Sequence, residues 1–126
     1  MRLEFRPFRA SNFPEYAAWF ADPELDRWLG PMDDEWLAAV LSKTASEGRT
    51  WAVFDGETFV AVAETALPPD DRLLAAITGL AVQPDRRGKG LGGAVLEKVL
   101  AIGAQEGRLK HLAHIHKDNE GCPKIF

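Results

Sequence analysis

Apolar and polar residues change their spacing several times along the chain, and each spacing predicts a different element. Residues 1–9 alternate apolar and charged positions, which predicts a half-buried strand. Residues 11–24 begin with polar capping residues and run to Pro23, which predicts a first helix that stops there. Residues 33–48 predict a second helix, because acids lie at its start and Gly48 ends it.

The middle of the chain predicts an antiparallel meander of three strands. Two strand-like runs flank Asp55-Gly56, a dipeptide typical of tight β-hairpins. The next run, residues 73–84, is almost wholly apolar, which predicts a strand covered on both faces. Gly79 in its middle indicates a bulge or the close approach of another backbone.

A helical spacing of apolar residues follows the meander. It predicts a third helix over residues 89–106, and residues 109–116 then predict a fifth strand. A helix between two strands in this way makes a crossover that leaves the strands parallel. The predicted fold is therefore α/β with a mixed sheet, in which an antiparallel meander is followed by a βαβ crossover. The whole chain, residues 1–126, fits one domain.

Composition and charge narrow the class of protein. The chain is 46% hydrophobic, which is typical of a globular domain, and its net charge of −4 argues against a general nucleic-acid binder. The sequence contains no apolar run long enough for a membrane span. Its single cysteine, Cys122, excludes an internal disulfide and suits a reducing compartment. We therefore predict a cytoplasmic protein with neither a nucleic-acid nor a membrane partner.

A basic, glycine-rich segment leads into the third helix. Its residues are Arg86, Arg87, Gly88, Lys89, Gly90, Leu91, Gly92 and Gly93. The start of a helix carries unpaired N–H groups and partial positive charge, and glycines let a phosphate approach that backbone closely. The three cations add positive charge in an otherwise acidic chain. The segment therefore predicts a site for a ligand that carries a diphosphate.

Two other phosphate-binding motifs fit this segment less well. A P-loop is excluded, because no G-x-x-x-x-G-K-[ST] pattern is present. The glycines at 88, 90 and 93 do satisfy G-x-G-x-x-G, but a dinucleotide fold needs them at the start of a βαβ unit with an acid about 20 residues on. Asp118 lies 25 residues beyond Gly93, and an antiparallel meander precedes the loop. An oxidoreductase with a nucleotide cofactor is therefore the least favoured alternative.

The run from Arg87 to Gly92 matches R/Q-x-x-G-x-G/A and resembles the acetyl-CoA signature of the GNAT acetyltransferases. The order of predicted elements resembles that family along the whole chain. The resemblance implies that acetyl-CoA is the co-substrate, held by backbone amides of residues 87–92 with charge from Arg86 and Lys89. It also implies further contacts with the cofactor arm, made by the backbone of Leu80, Ala81 and Val82 and by Asn119.

The residues that would move protons are less clearly marked. At the position where many family members place a glutamate this chain has Ala76, and where they place an acidic tyrosine it has Phe126. The alternatives for a general base are Glu64, in an otherwise apolar strand where burial would raise its pKa, and His114 or His116 on the fifth strand. A solvent-facing carboxylate and ordinary strand histidines remain the competing interpretations.

Two further expectations concern the acceptor and metals. Trp28 lies in the link between the first two helices, which in the family shapes the acceptor site. No metal site is predicted, because His111 lies on the opposite strand face from His114 and His116.

In the GNAT family the chain continues beyond the position of Phe126 with the rest of a helix and two strands. We therefore expect a C-terminally incomplete fold and a homodimer that covers the open edge of the fifth strand. The leading hypothesis is transfer of an acetyl group from acetyl-CoA to a primary amine of a small molecule or peptide. The alternative is a catalytically weak CoA-binding sensor or interaction module, which the residues at 76 and 126 favour.

Overall fold

The computed structural model describes residues 2–113 of the chain. Five strands form one sheet, in which spatial order follows chain order. They are β1 (Leu3–Pro7), β2 (Gly48–Asp55), β3 (Thr58–Ala66), β4 (Leu74–Val82) and β5 (Lys110–Ala113). The strands from β1 to β4 pair antiparallel with their neighbours, whereas β5 pairs parallel with β4. The predicted meander and the crossover to a parallel strand are both confirmed.

Four α-helices and two short 3₁₀ turns complete the described chain. They are a 3₁₀ turn (Ala10–Asn12), α1 (Phe13–Trp19), α2 (Pro23–Leu29), α3 (Asp34–Ser42), a second 3₁₀ turn (Pro84–Arg86) and α4 (Leu91–Gln105). Every helix in residues 2–113 is too short or too polar to cross a membrane.

The helical segment between β1 and β2 differs from the prediction at two places. Where a single helix was expected to stop at Pro23, α1 ends earlier and Pro23 begins α2. Asp22 caps α2 because its Oδ2 accepts a hydrogen bond from the Leu25 N–H at 3.1 Å, and Pro23 suits the first helical position. The helix expected over residues 33–48 ends at Ser42, and a turn closed by Thr44 and Glu47 follows it.

The sheet lies between two helical layers, each with its own apolar core. Helix α4 covers one face, where the buried side chains are Trp51, Val53, Val60, Ala61, Ala63, Ile77, Leu80, Val82, Leu91, Val95, Leu96 and Val99. Helices α1–α3 cover the other face, where the buried side chains are Phe8, Tyr16, Trp19, Leu25, Ala52, Phe59, Val62 and Ala81. Alternate residues of a strand face opposite sides, so β3 and β4 contribute to both cores.

A β-bulge interrupts β4 at its centre, as Gly79 predicted. Glu64 of β3 pairs with Gly79, but the next residue, Thr65, pairs with Ile77, so the exposed Thr78 is an extra residue on β4. The described part of β5 runs beside residues 74–77, before the bulge, and residues 79–82 continue along β3. The bulge therefore separates the half of β4 that meets β5 from the half that leads to the glycine-rich segment.

Candidate functional site

The loop between β4 and α4 consists of consecutive tight turns. The Gln83 N–H donates to the carbonyl of Val60 at 2.9 Å, which fixes the point where the chain leaves the sheet. After the 3₁₀ turn, Gly88 and Gly90 have φ values of +76° and +75°, and Gly90 is the N-cap of α4. This left-handed region is one that residues with a Cβ rarely adopt. The two glycines are therefore required by the path of the loop.

The backbone N–H groups of residues 88–93 point to no acceptor within the described chain. The first N–H that bonds back into α4 belongs to Ala94, whose partner is the Gly90 carbonyl at 3.1 Å. No described atom comes within 4 Å of the place where a Cβ would stand at Gly88, Gly90 or Gly93. The loop thus offers a row of open amides at a helix N-terminus, and this arrangement fits the phosphates that the sequence predicts.

The cations of the segment have different surroundings. Lys89 is exposed beside the open amides, and Arg86 is half-buried, with its Nε donating to Gln83 Oε1 at 2.9 Å. Arg87 extends towards α2, where its guanidinium donates to Asp22 Oδ2 at 2.7 Å and to Glu24 Oε2 at 3.0 Å. This ion pair lowers the pKa of Asp22, mainly through the hydrogen bond from Arg87. The sequence carried no signal for this contact, because the partners lie more than 60 positions apart.

Glu64 lies on the sheet face that α1–α3 cover, directly over Gly79. A Cβ at position 79 would come within 2.7 Å of Glu64 Oε2, so the absence of a side chain there makes room for the carboxylate. Burial raises the pKa of Glu64, although the charge of Lys43 and a hydrogen bond from Trp36 lower it in part. Burial raises the pKa of the Tyr16 hydroxyl, and the negative charge of Glu64 raises it further. The site therefore holds a partly desolvated carboxylate beside the bulge of β4.

The other predicted site residues are distributed as follows. Leu80, Ala81 and Val82 are buried in β4 between the bulge and the glycine loop. Trp28, which was predicted to lie in a link between two helices, lies instead in α2, half-buried, with the Arg27 guanidinium 4.7 Å from its ring centroid. His114, His116, Asn119, Cys122 and Phe126 lie outside the described residues. Within the described ranges, no three His, Cys, Asp or Glu side chains are grouped so that they could hold a metal ion.

Comparison with known proteins gives one family match that spans nearly the whole chain. The sequence model of the family described as "Acetyltransferase (GNAT) domain" matches residues 2–126. No curated protein matches the sequence.

Several solved structures share the fold at low sequence identity. An acetyltransferase from Thermus thermophilus is 20% identical, with a TM-score of 0.67 over 80% of this chain and 69% of that one. A ribosomal-protein-alanine N-acetyltransferase from Brucella melitensis biovar Abortus 2308 is 15% identical, with a TM-score of 0.70 over 95% and 84% of the two chains. An aminoglycoside acetyltransferase from an uncultured soil metagenomic sample, in complex with sisomicin, is 15% identical, with a TM-score of 0.64 over 91% and 78%.

Proposed function

Because the chain belongs to the GNAT acetyltransferase family, a family of acyl transferases, we propose that it transfers an acetyl group from acetyl-CoA to a primary amine. The acceptor is a small molecule or a peptide. The observation that carries this proposal is the row of open amides at residues 88–93, which begins a helix and has the exposed cation Lys89 beside its first glycine. A diphosphate is the group that such a loop binds best.

The remaining cofactor contacts follow the path of β4. The backbone amides of residues 88–93 would hold the pyrophosphate, and Arg86 and Lys89 would contribute positive charge. The backbone of Leu80, Ala81 and Val82 would bind the pantetheine arm, and Asn119 would contact the same arm. This assignment agrees with the position of the three strand residues between the bulge and the loop.

Bound acetyl-CoA supplies an acetyl thioester, whose carbonyl carbon forms a bond with the amine nitrogen while its bond to sulfur breaks. The backbone N–H near Val82 is proposed to polarise the carbonyl. The amine must lose a proton, and Glu64 is proposed to accept it, directly or through a water molecule. The released thiolate takes a proton from solvent, because Phe126 has no proton to give.

Glu64 is favoured as the base by its surroundings. It lies opposite Gly79 at the bulge, on the half of the sheet that leads to the glycine loop, and burial raises its pKa towards neutrality. Ala76, at the position of the family glutamate, lies on the other side of the bulge and cannot carry a proton. His114 stays the alternative base, and Trp28 stays the proposed acceptor contact.

The cofactor assignment is tested by calorimetry with a pair of matched variants. Gly90→Leu places a side chain in the open space over the amides and should abolish acetyl-CoA binding. Gly56→Leu is the control, because Gly56 also has a positive φ, +63°, with no atom within 4 Å, but lies in the β2–β3 turn. It should bind acetyl-CoA as the wild type does. Tighter binding of NAD than of acetyl-CoA by the wild type would contradict the proposal.

The reaction is tested by measuring free thiol and acetylated product over a panel of amines. The panel should include aminoglycosides and peptides with a free N-terminal amine, since acetyltransferases named for such acceptors share this fold. Acetyl-CoA binding without transfer to any amine would favour the sensor or interaction module instead. A homodimer and a cytoplasmic location stay predictions, and light scattering on the purified protein tests the first of them.

A further inference from the structure

Arg87, the first residue of the glycine-rich signature, directs its side chain away from the loop and onto α2. Its two terminal nitrogens each donate to a different carboxylate, Asp22 at 2.7 Å and Glu24 at 3.0 Å. The three side chains keep 22%, 24% and 34% of their exposure, so the cluster is largely withdrawn from solvent. A fork-shaped guanidinium held at both ends is a geometrically specific contact rather than a loose surface pair.

This contact holds the chain at Arg87, directly before the flexible, glycine-rich residues 88–93. Arg87 has an extended backbone, and the next residue, Gly88, turns into the left-handed region. From there, glycines occupy four of the six positions up to Gly93, so little in the segment restricts its own conformation. The far end is held by α4, which packs through the buried Leu91. The Arg87 cluster is therefore the tether at the near end.

We infer that Asp22 and Glu24 are positioning residues of the proposed cofactor site, which they serve by holding Arg87. The inference rests on the proposed function. A loop that is already fixed loses less conformational entropy when a phosphate binds, so its affinity is higher. Asp22 and Glu24 thus act on the amides of residues 88–93 through Arg87 and do not themselves touch the ligand.

Simple electrostatics predicts the opposite effect of these two acids. Carboxylates near an anion site repel a phosphate, and they also occupy a guanidinium that could otherwise bind it. If that effect dominated, removal of the two charges would tighten binding of acetyl-CoA. Weaker acetyl-CoA binding after removal of the two charges therefore indicates a positioning role, and tighter binding indicates an inhibitory contact.

The experiment measures the Kd of acetyl-CoA and of acetyl-pantetheine, which lacks the diphosphate, by calorimetry. The variants are Asp22→Asn with Glu24→Gln, Arg87→Ala, and all three changes together. Asparagine caps a helix about as well as aspartate, so α2 keeps its cap when the charge is removed. The control is Glu4→Gln, which breaks an exposed ion pair with Arg6 on β1.

If the acids hold the loop through Arg87, the double variant and Arg87→Ala should each weaken acetyl-CoA binding about threefold to tenfold. A change of this size is typical of groups that interact in one network. The triple variant should bind no more weakly than Arg87→Ala, because the acids act through that side chain. The Kd of acetyl-pantetheine should not change in any of them, and Glu4→Gln should match the wild type. A general structural loss would weaken both ligands together.

Tighter binding by the double variant, additive losses in the triple variant, or a parallel loss of acetyl-pantetheine affinity would each overturn the inference. If circular dichroism shows that Arg87→Ala is unfolded, Arg87→Lys replaces it in the cycle, because an ammonium keeps the charge without the two-ended fork. A wild type that binds no acetyl-CoA overturns the proposed function and the inference together. Wild-type binding with unchanged variants overturns the inference alone.

Discussion

Gly79 makes room for the side chain of Glu64, its partner on β3, because it has no side chain of its own. The carboxylate occupies the space that a side chain at position 79 would fill, and it lies in the layer between the sheet and α1–α3. Trp36 and Lys43 give it partial compensation, but burial remains the largest influence on its pKa. A carboxylate in this setting is a better proton acceptor near neutral pH than an exposed one.

Replacement of Glu64 by glutamine should lower turnover about a hundredfold or more, the usual contribution of a general base. The rate of the wild type should rise with pH as Glu64 loses its proton through its raised pKa, and Glu64→Gln should flatten that rise without changing the Kd of acetyl-CoA. The control is Glu57→Gln, an exposed carboxylate in the β2–β3 turn. An unchanged pH profile would assign the base to His114, to His116 or to the substrate itself.

The same replacement should stabilise the folded protein at neutral pH. Burial raises the pKa of Glu64 above its ordinary value of 4.5, so the folded state favours the protonated form. The stability that this preference contributes is complete below pH 4.5 and is lost as the pH rises through the folded-state pKa. Glu64→Gln should therefore add about 1 kcal/mol at pH 7, because glutamine carries no charge that burial disfavours, and less at pH 4. Urea unfolding at both pH values measures it, and an equal gain at both would contradict the argument.

At the residue scale, the sequence could identify candidates but not their partners. Glu64 was predicted because a carboxylate stands out in an apolar strand, and the glycine loop because its spacing is local. The burial of Glu64 depends on Gly79 of β4 and on Trp36 and Lys43, which lie in α3 and at its C-terminal end. The attachment of Arg87 to α2 likewise depends on the tertiary fold, so no local pattern could predict it.

At the scale of elements, α4 and β5 meet through a histidine and a glycine. The His111 ring lies against Gly103, its buried Nε2 has no hydrogen-bond partner within the described chain, and burial lowers its pKa. A Cβ at position 103 would clash with that nitrogen. Close packing of helix on strand here therefore depends on the missing side chain.

Gly103→Ala and Gly93→Ala make the same change in the same helix and should have opposite effects on stability. At position 103 the new methyl group must displace His111, which should cost about 1–3 kcal/mol. At position 93 nothing lies within 4 Å, so the higher helix propensity of alanine should add up to about 1 kcal/mol. Urea denaturation compares the two, and a stable Gly103→Ala protein would show that the His111 ring moves freely.

Elements with a strong local pattern were predicted well, and α2 shows where such patterns fail. The stripe of α4 and the Asp55-Gly56 hairpin follow from periodicity and turn chemistry. Helix α2 is only seven residues long, and the sequence pattern alone predicts that Pro23 ends the preceding helix, whereas it begins α2. Proline stops one helix and begins another equally well, so its meaning depends on the Asp22 cap and on Leu25 packing into the core.

At the scale of the whole molecule, the glycine-rich loop makes contacts on both sides of the sheet. Leu91 packs in the core beneath α4, and Arg87 is bound to α2 on the opposite side of the sheet. The sequence predicted the meander of β2, β3 and β4 and the crossover to a parallel β5, because turn residues and a helix between two strands are local signals. It did not predict the ion pair between Arg87 and α2, because ion pairs between distant segments produce no pattern in the local sequence.

Binding of acetyl-CoA to this loop should raise the melting temperature of the whole folded domain. A ligand that binds only the native state adds RT ln(1 + [L]/Kd), about 2.7 kcal/mol at a hundred times Kd. In a domain of 126 residues this should raise Tm by on the order of 10 °C. Differential scanning fluorimetry with acetyl-CoA should show the rise in the wild type and in Gly56→Leu, a smaller one in the Asp22→Asn, Glu24→Gln protein, and none in Gly90→Leu. NAD at the same concentration should leave Tm unchanged, and an equal rise with NAD would mean that the loop serves dinucleotides rather than CoA.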